Sequence, residues 1–292
     1  MTDHVLLFRR ELEVAFGPLD WLPIPDGQIH RFHVPGDRAG SRNGWYVLHL
    51  DGIASGAFGS WKAGASSTWS SRRPADHLEA QLITQRIEQA KRQREAEQHQ
   101  RQQVAAIEAT GLWAVADPAD PGHPYLRRKG CQPHNVRQLG DVLLVPLYLG
   151  CQLVNLQRIP PDGIKKRFLP GGRVTGCYSP ISRLEPGQPI YICEGWATGA
   201  TIHEAKDAAV ACAMNAGNLL PVGDRLRLAY PENPLILAGD DDRQTEGNPG
   251  RTKATRAASL LGCGLIFPPW NGTEPLELSD FNDLRQWREA NQ

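Results

Sequence analysis

From Pro189 to Trp270, short apolar runs alternate with helical patterns, and this alternation constrains the fold more than any other feature of the chain. The run "PIYICEG" ends at Glu194 and Gly195 and leads into the helical "WATGATIHEAK". "DAAVACAMNAGNL" supplies a second run and a turn, and "LLPVGDRLRLAYP" an irregular or helical crossover. "PLILAGDDD" is the third run, "GRTKATRAASLLG" a helix stopped at Gly262, and "CGLIFPPW" the fourth run. These runs lack the polar alternation of a half-solvated strand, so they read as strands buried on both faces. Buried strands separated by helices make a parallel α/β sheet.

In such a sheet, sites form beyond the carboxyl ends of the strands, near a switch in strand order. Glu194 ends the first strand, and Asp240, Asp241 and Asp242 end the third. Carboxylates gathered at one edge repel one another unless a cation neutralises them. Mg2+, held by a few carboxylates and by substrate phosphates, suits that chemistry. In an extended segment Asp240 and Asp242 share a side and Asp241 points the other way, so Asp241 is the aspartate expected to tolerate substitution. Further on, "SDFNDLRQW" places Asp280 and Asp283 around Asn282, where Asp280 also reads as the N-cap of a terminal helix.

Upstream, "HPYLRRKG" reads as a short helix closed by Gly130, with Arg127, Arg128 and Lys129 in its last turn. "DVLLVPLYLGCQLVNLQRIPPDGIKKRFLPGG" reads as a three-strand meander. Arg158 lies late in its second strand, and Lys165, Lys166 and Arg167 open its third. Together these cations make either a phosphate-facing surface or ordinary solubilising strand ends. The chain as a whole carries 32 Lys+Arg against 32 Asp+Glu, so affinity for a polyanion has to come from such local patches. Pro74 to Thr110 reads as a long helix begun by a capping box, Asp76 and Glu79, with a thin stripe of Leu82, Ile83, Ile87 and Ala90. It is expected to be docked at both ends, solvated in its middle, and to separate two domains.

The N-terminal stretch reads as an amphipathic helix followed by a small antiparallel module: a strand at Trp45–Leu50, a turn at Asp51 and Gly52, and a returning strand in "GAFGSW". Arg31, Phe32, His33, Trp45, Trp61 and Trp69 are either exposed groups that stack on bases or the core of that module. The six cysteines form no CxxC or CxxH pair and read as reduced, mostly buried thiols. No apolar run approaches the ~20 residues that span a bilayer, which makes a cytoplasmic location the default. The expected organisation is a module at 1–72, a long helix at 73–110, an α+β subdomain at 111–186 and a parallel α/β domain at 187–292.

The segments "YICEGWATGATIHEA", "AMNAGNL", "LILAGDDD" and "DFNDL" resemble the Toprim domain of bacterial DnaG-type primases and of primase segments in plasmid, phage and integrated-element replication proteins. "HPYLRRKGC", "LLVPLYLGCQLVNLQRI" and "DGIKKRFLPGG" resemble the primase-specific part that precedes it, so the resemblance runs from Gly111 to Gln292. It implies a Toprim-type parallel sheet with flanking helices behind a primase-type α+β subdomain. The implied activity is Mg2+-dependent nucleotidyl transfer making short RNA primers on single-stranded DNA, with Mn2+ able to substitute. By motif, Glu194 becomes a metal ligand or general base, Asp240 and Asp242 the metal-binding pair, and Asp280 and Asp283 a further acidic motif that helps to bind metal. Arg127, Arg128, Lys129, Arg158, Lys165, Lys166, Arg167 and Lys253 become the groups that hold nucleoside triphosphate or template.

The chain departs from the family pattern in having no cysteine-rich zinc ribbon, so no zinc is expected and template choice passes to the N-terminal module through Arg31, Trp45 and Trp61. A monomer working with a replicative helicase is expected; no helicase segment follows Gln292, so that motor is either a separate partner or lies outside this sequence. Two other readings stay open: a Toprim-type nuclease, and a non-catalytic single-stranded-DNA-binding accessory. The cations at Lys165 to Arg167 suit a triphosphate and favour synthesis over hydrolysis. A topoisomerase would need a tyrosine nucleophile, and the six tyrosines stand in strand-like or turn positions without that context.

Overall fold

The computed structural model describes residues 3–62 and 66–291. They divide into two compact units, Met1–Gln100 and Arg101–Gln292.

The first unit opens with α1 (His4–Phe16), whose start is fixed by the Asp3 carboxylate accepting the N–H groups of Val5 and Leu6. Four antiparallel strands follow in sequential order: β1 (His30–Phe32), β2 (Gly44–His49), β3 (Ser55–Ser60) and β4 (Ser66–Ser70). Helix α2 (His77–Val115) comes next. Along β2 the side chains alternate between two covered faces. Tyr46 and Leu48 pack with Phe32, Phe58 and the α1 residues Phe8 and Leu12, whereas Trp45 and Val47 pack with Ala57 and Ala90 of α2.

Of the two readings open for Trp45 and Phe32, that double cover selects the core of the module, where they are only 3% and 5% exposed. The start of α2 carries the capping interaction in a shifted form. Asp76 accepts the Glu79 N–H at 2.8 Å, but the Glu79 carboxylate reaches back to the N–H of Ala75 and to Arg72 rather than to Asp76.

In the second unit, Ala105 and Ala109 are the buried positions of α2. Then follow β5 (Asp117–Pro118), α3 (Pro124–Lys129), β6 (Arg137–Leu139), β7 (Val142–Leu149), β8 (Gln152–Ile159) and β9 (Arg167–Phe168). These strands form an antiparallel meander in chain order. Helix α3 stops where Gly130 turns left-handed at φ 60°, a conformation that favours glycine. Leu144, Leu156 and Leu169 pack with Ala109 and Ala116, while Leu143, Val145, Leu147 and Ile159 enter a larger core with Trp196, Ala197 and Val210.

The remaining elements are β10 (Ser179–Pro180), β11 (Ile190–Cys193), α4 (Trp196–Lys206), β12 (Ala209–Cys212), α5 (Leu219–Ala229), β13 (Leu235–Ala238), α6 (Pro249–Leu261), β14 (Gly264–Ile266) and α7 (Phe281–Ala290). The sheet order is β10-β12-β11-β13-β14. Strands β11 to β14 are parallel, as their apolar runs imply, and the two-residue β10 adds an antiparallel edge. The ambiguous crossover is a full helix, α5, whose Leu219, Val222 and Leu226 pack on Ile190, Ile192, Leu235 and Leu237. Tyr148 and Tyr178 bridge the meander to this sheet, and the two sheets share one core. Among the described residues no helix is long and apolar enough to cross a membrane.

Helix α4 lies very close to the sheet at Gly199. A Cβ there would stand 2.3 Å from Cys212 Sγ and 3.2 Å from Cys193 Sγ. Gly199→Ala is therefore expected to cost about 1–3 kcal/mol through overpacking. Adding Cys212→Ala should restore part of that loss. Thermal unfolding followed by circular dichroism measures both, and strictly additive losses would argue against this contact.

Candidate active site

Strands β11 and β13 are parallel neighbours, with Cys193 in register with Ala238. The chain leaves both at the same edge, with Glu194 directly after Cys193 and Asp240 two residues after Ala238. The connection from β12 to β13 crosses β11, so this edge is the switch in strand order where an open α/β sheet forms its crevice. Glu194 Oε1 and Asp240 Oδ1 are buried without a hydrogen-bond partner.

The electrostatics follow from that placement. Burial, reinforced by the Asp242 charge and opposed by Lys253, pushes the Glu194 carboxyl up to about 7. Burial, with repulsion from Glu194, Asp280, Asp242 and Asp283, pushes Asp240 up to about 9. The five acids thus act on one another across two strand ends and the start of α7.

Asp242 is steadied by the first turn of α6. Its Oδ2 accepts the Gly250 N–H at 2.8 Å, and its own N–H donates to Asn248 Oδ1 at 2.9 Å. A Cβ on Gly250 would come within 2.8 Å of the Asp240 carbonyl oxygen and 2.9 Å of Asp242 Oδ2, so the helix reaches this loop only because that residue is glycine.

Asp241 corrects the expectation that it is dispensable. It does point away from Asp240 and Asp242, but into a buried polar clasp and not into solvent. It accepts two bonds from Arg251, at 2.9 and 3.0 Å, one from Asn248 Nδ2 at 2.6 Å and one from Trp270 Nε1 at 3.0 Å. The Arg251 hydrogen bond comes first among the causes that draw its carboxyl down to about 2. Arg243, stacked 3.9 Å from the Trp270 ring, ties the same segment to the carbonyl of Leu278.

Asp280 caps α7 by accepting the Asp283 N–H at 2.8 Å, and burial together with the Asp283 charge raises its carboxyl. Asp283 accepts from Ser279 N–H at 3.2 Å and from Lys129 Nζ at 3.3 Å. Two residues outside the sequence-based set hold this corner together. Buried Asn282 donates to the Lys129 carbonyl at 2.7 Å and to Thr201 Oγ1 at 2.9 Å, and Arg285 donates to the carbonyls of Lys129 and Gly130 at 3.0 and 2.7 Å. Asn218 does comparable work, donating to the carbonyls of Val174, Cys177 and Ala213 and accepting the Gly176 N–H. The only sequence signal for these is a polar residue inside an otherwise buried turn or helix face.

The predicted cations separate into groups. Lys166 Nζ donates to Tyr125 Oη at 2.9 Å. Lys166 is exposed as a whole, but desolvation of its ammonium beside Tyr125 lowers its pKa, as do the Lys129 and Arg128 charges, while Asp280 and Asp283 oppose that fall. Arg128, Lys129 and Lys166 therefore gather beside the acids of α7. Lys253 stands near Glu194. Arg158 and Arg167 instead face each other across β8 and β9, in the row that contains Leu144 and on the other face from Phe168. Arg127 and Lys165 are exposed. Arg31 and Trp61 form a packed pair with the guanidinium 4.9 Å from the ring, and Trp45 is covered by Arg94 at 4.8 Å.

Among the described residues no three His, Cys, Asp or Glu side chains stand close enough to enclose a metal ion by themselves. Two partnerless buried carboxylate oxygens, held close by the sheet despite mutual repulsion, still fit a hard dication. The fitting ion is one that completes its shell with water and phosphate, as Mg2+ does, and not one that needs a closed protein cage.

The family model described as "Toprim domain" matches residues 189–290. This stretch is similar to that domain. Glu194, Asp240, Asp242, Asp280 and Asp283 all lie within it. Over 88% of its length the chain is similar to two Escherichia coli proteins named DNA primase TraC, at 36% identity in each case. It spans only 25% of the length of the first and 19% of the second. A solved structure of bacteriophage T7 lagging-strand DNA polymerase with the primase domains of two gp4 subunits aligns at a TM-score of 0.40 and 14% identity, covering 56% of this chain and 80% of that chain.

Two outcomes follow from this sheet edge. Removing Asp241 as Asp241→Ala should cost about 2 kcal/mol, because Arg251, Asn248 and Trp270 lose their shared acceptor; a melting temperature equal to wild type would contradict this. Glu194 and Asp240 titrate above their unfolded values, so the stability they contribute is full below the ordinary carboxylate range. It is lost as pH rises through about 7 and about 9. With divalent ions chelated, Tm should fall by on the order of 5 °C between mildly acidic and alkaline pH, and Asp240→Asn should flatten that slope.

Proposed function

We propose that this chain is the catalytic core of a DNA primase that makes short RNA primers on single-stranded DNA, serving a plasmid, phage or integrated element. The observation that carries the reading is the pair of partnerless carboxylate oxygens on Glu194 and Asp240, set at the switch edge of a Toprim sheet with Arg128, Lys129 and Lys166 gathered beside it. The similarity over 88% of the chain to proteins named DNA primase supports it.

In this reading Asp240 and Asp242 would hold Mg2+, for which Mn2+ could substitute, Asp280 and Asp283 would help to bind it, and Glu194 is left as the general base. The ion when bound lowers the pKa of the primer 3'-hydroxyl and neutralises charge on the departing pyrophosphate. Glu194, whose carboxyl titrates near neutral pH, accepts the hydroxyl proton. Lys166, Lys129 and Arg128 hold the triphosphate as it approaches the edge. Their mutual repulsion is relieved when phosphate arrives, so part of the binding energy is stored before substrate enters. Gly250 and the Asp241–Arg251 clasp keep Asp242 and Asp240 in place without touching substrate. Arg158 and Arg167, on the other face of the meander, are left to template contacts. A replicative helicase is the expected partner.

The test is incubation with single-stranded DNA, labelled ribonucleoside triphosphates and Mg2+, beside Asp240→Ala. Labelled oligonucleotides from wild type and a loss of at least 100-fold in the variant are expected. Degraded template without new oligonucleotide would point to a nuclease and end the proposal.

A further inference from the structure

The first unit carries a groove of about 810 Å3 on the α1 face of its sheet, away from Trp45 and Trp61. This lies within the ~300–1,000 Å3 common for binding pockets. Its floor is a column of flat rings. Trp21 stacks on Tyr46 with centroids 5.3 Å apart and an interplanar angle of 17°, and His30 stacks near Tyr46 at 5.2 Å and 19°. Tyr46 itself is buried, and its hydroxyl accepts the Ile24 N–H at 2.9 Å, which pins the segment carrying Leu22 and Ile24 over the groove. Leu22 and Ile24 are 55% and 51% exposed, so the apolar surface continues out of the floor into solvent.

The loop from His33 to Asn43 contributes His33, Pro35 and Arg42 to the groove lining. Its one carboxylate, Asp37, is already bonded to Lys62 Nζ at 2.7 Å and to Asn43 Nδ2 at 2.8 Å. The other acid at hand, Asp26, accepts from His30 at 2.9 Å, which leaves Asp20 as the groove's exposed carboxylate.

Partly exposed Trp21 and His30 beside the buried Tyr46, exposed Leu22 and Ile24, and Arg42 at the rim suit a strand whose bases stack on the rings and whose phosphates meet Arg42. We infer that this groove binds single-stranded DNA, the inference resting on the primase reading for the source of the strand. Template contact is thereby moved from Trp45 and Trp61, which Arg94 of α2 covers, to Trp21, Leu22, His33 and Arg42, while Arg31 lines the groove with its guanidinium held by Trp61 and Glu97. With only a few cations the hold depends on stacking as much as on charge. A phosphate-bearing strand without bases should bind poorly.

The experiment is fluorescence anisotropy of the full chain with a labelled oligothymidylate and with an abasic oligomer of equal length. Expected are weak binding of the abasic oligomer and about tenfold weaker oligothymidylate binding by Trp21→Ala. Arg42→Glu and Leu22→Ser, exposed positions that leave the core intact, should each weaken binding several-fold. Wild-type affinity in both exposed-site variants, or equal binding of the abasic oligomer, would overturn the inference. Primer synthesis by wild type is scored in parallel. Synthesis with groove-independent binding sinks this inference alone, whereas groove-dependent binding without synthesis sinks the primase reading and leaves the groove standing.

Discussion

Mutual repulsion among half-buried carboxylates at one sheet edge is the constraint on which the second unit depends. Glu194 and Asp240 gain nothing from being close to each other, and burial makes their charges costlier still. They remain together because β11 and β13 are locked in register by a core that includes Ile190, Ile192, Leu235 and Leu237. Local devices then keep the loops from relaxing outward. The Gly250 N–H holds Asp242, the Asp241–Arg251 clasp turns the middle aspartate inward, and Asn282 and Arg285 fasten the end of α3 to α7. The stability of hydrophobic packing is used here to maintain an arrangement of charge that would otherwise disperse, which is the usual physical basis of a functional site with displaced pKa values.

The N-terminal unit shows a different economy. A four-stranded sheet with aromatic residues on both faces is covered by α1 on one side and by α2 on the other. Burial claims the aromatics first, and what is left for recognition is the rim where cover is incomplete. There Trp21 and His30 flank Tyr46 and the exposed Leu22 and Ile24 stand over the groove. Cations follow the same rule: Arg94 is spent on Trp45, while Arg42 stands at the groove.

Legibility in the sequence tracks how local the cause is. The parallel strands, the Gly130 and Gly262 helix stops and the meander follow from apolar runs and turn chemistry, which act over a few residues. So does the helical start at Asp76, though its reciprocal bond lands on Ala75. Placing Glu194 beside Asp240 also follows, because strand-end position and chain order suffice for it. The dispensability of Asp241 fails for the opposite reason: its partners Arg251 and Trp270 lie 10 and 29 residues away and meet it only in the folded state.

Sequence by itself therefore determined the α/β alternation, the acids at its strand ends and the likeness to Toprim primases. Tertiary structure alone decided which face each aromatic occupies, which cations join the acids, and which aspartate is structural. Periodicity records whether a side chain is buried, but the identity of what buries it is set by contacts between distant segments. Charge at a site is a property of those contacts.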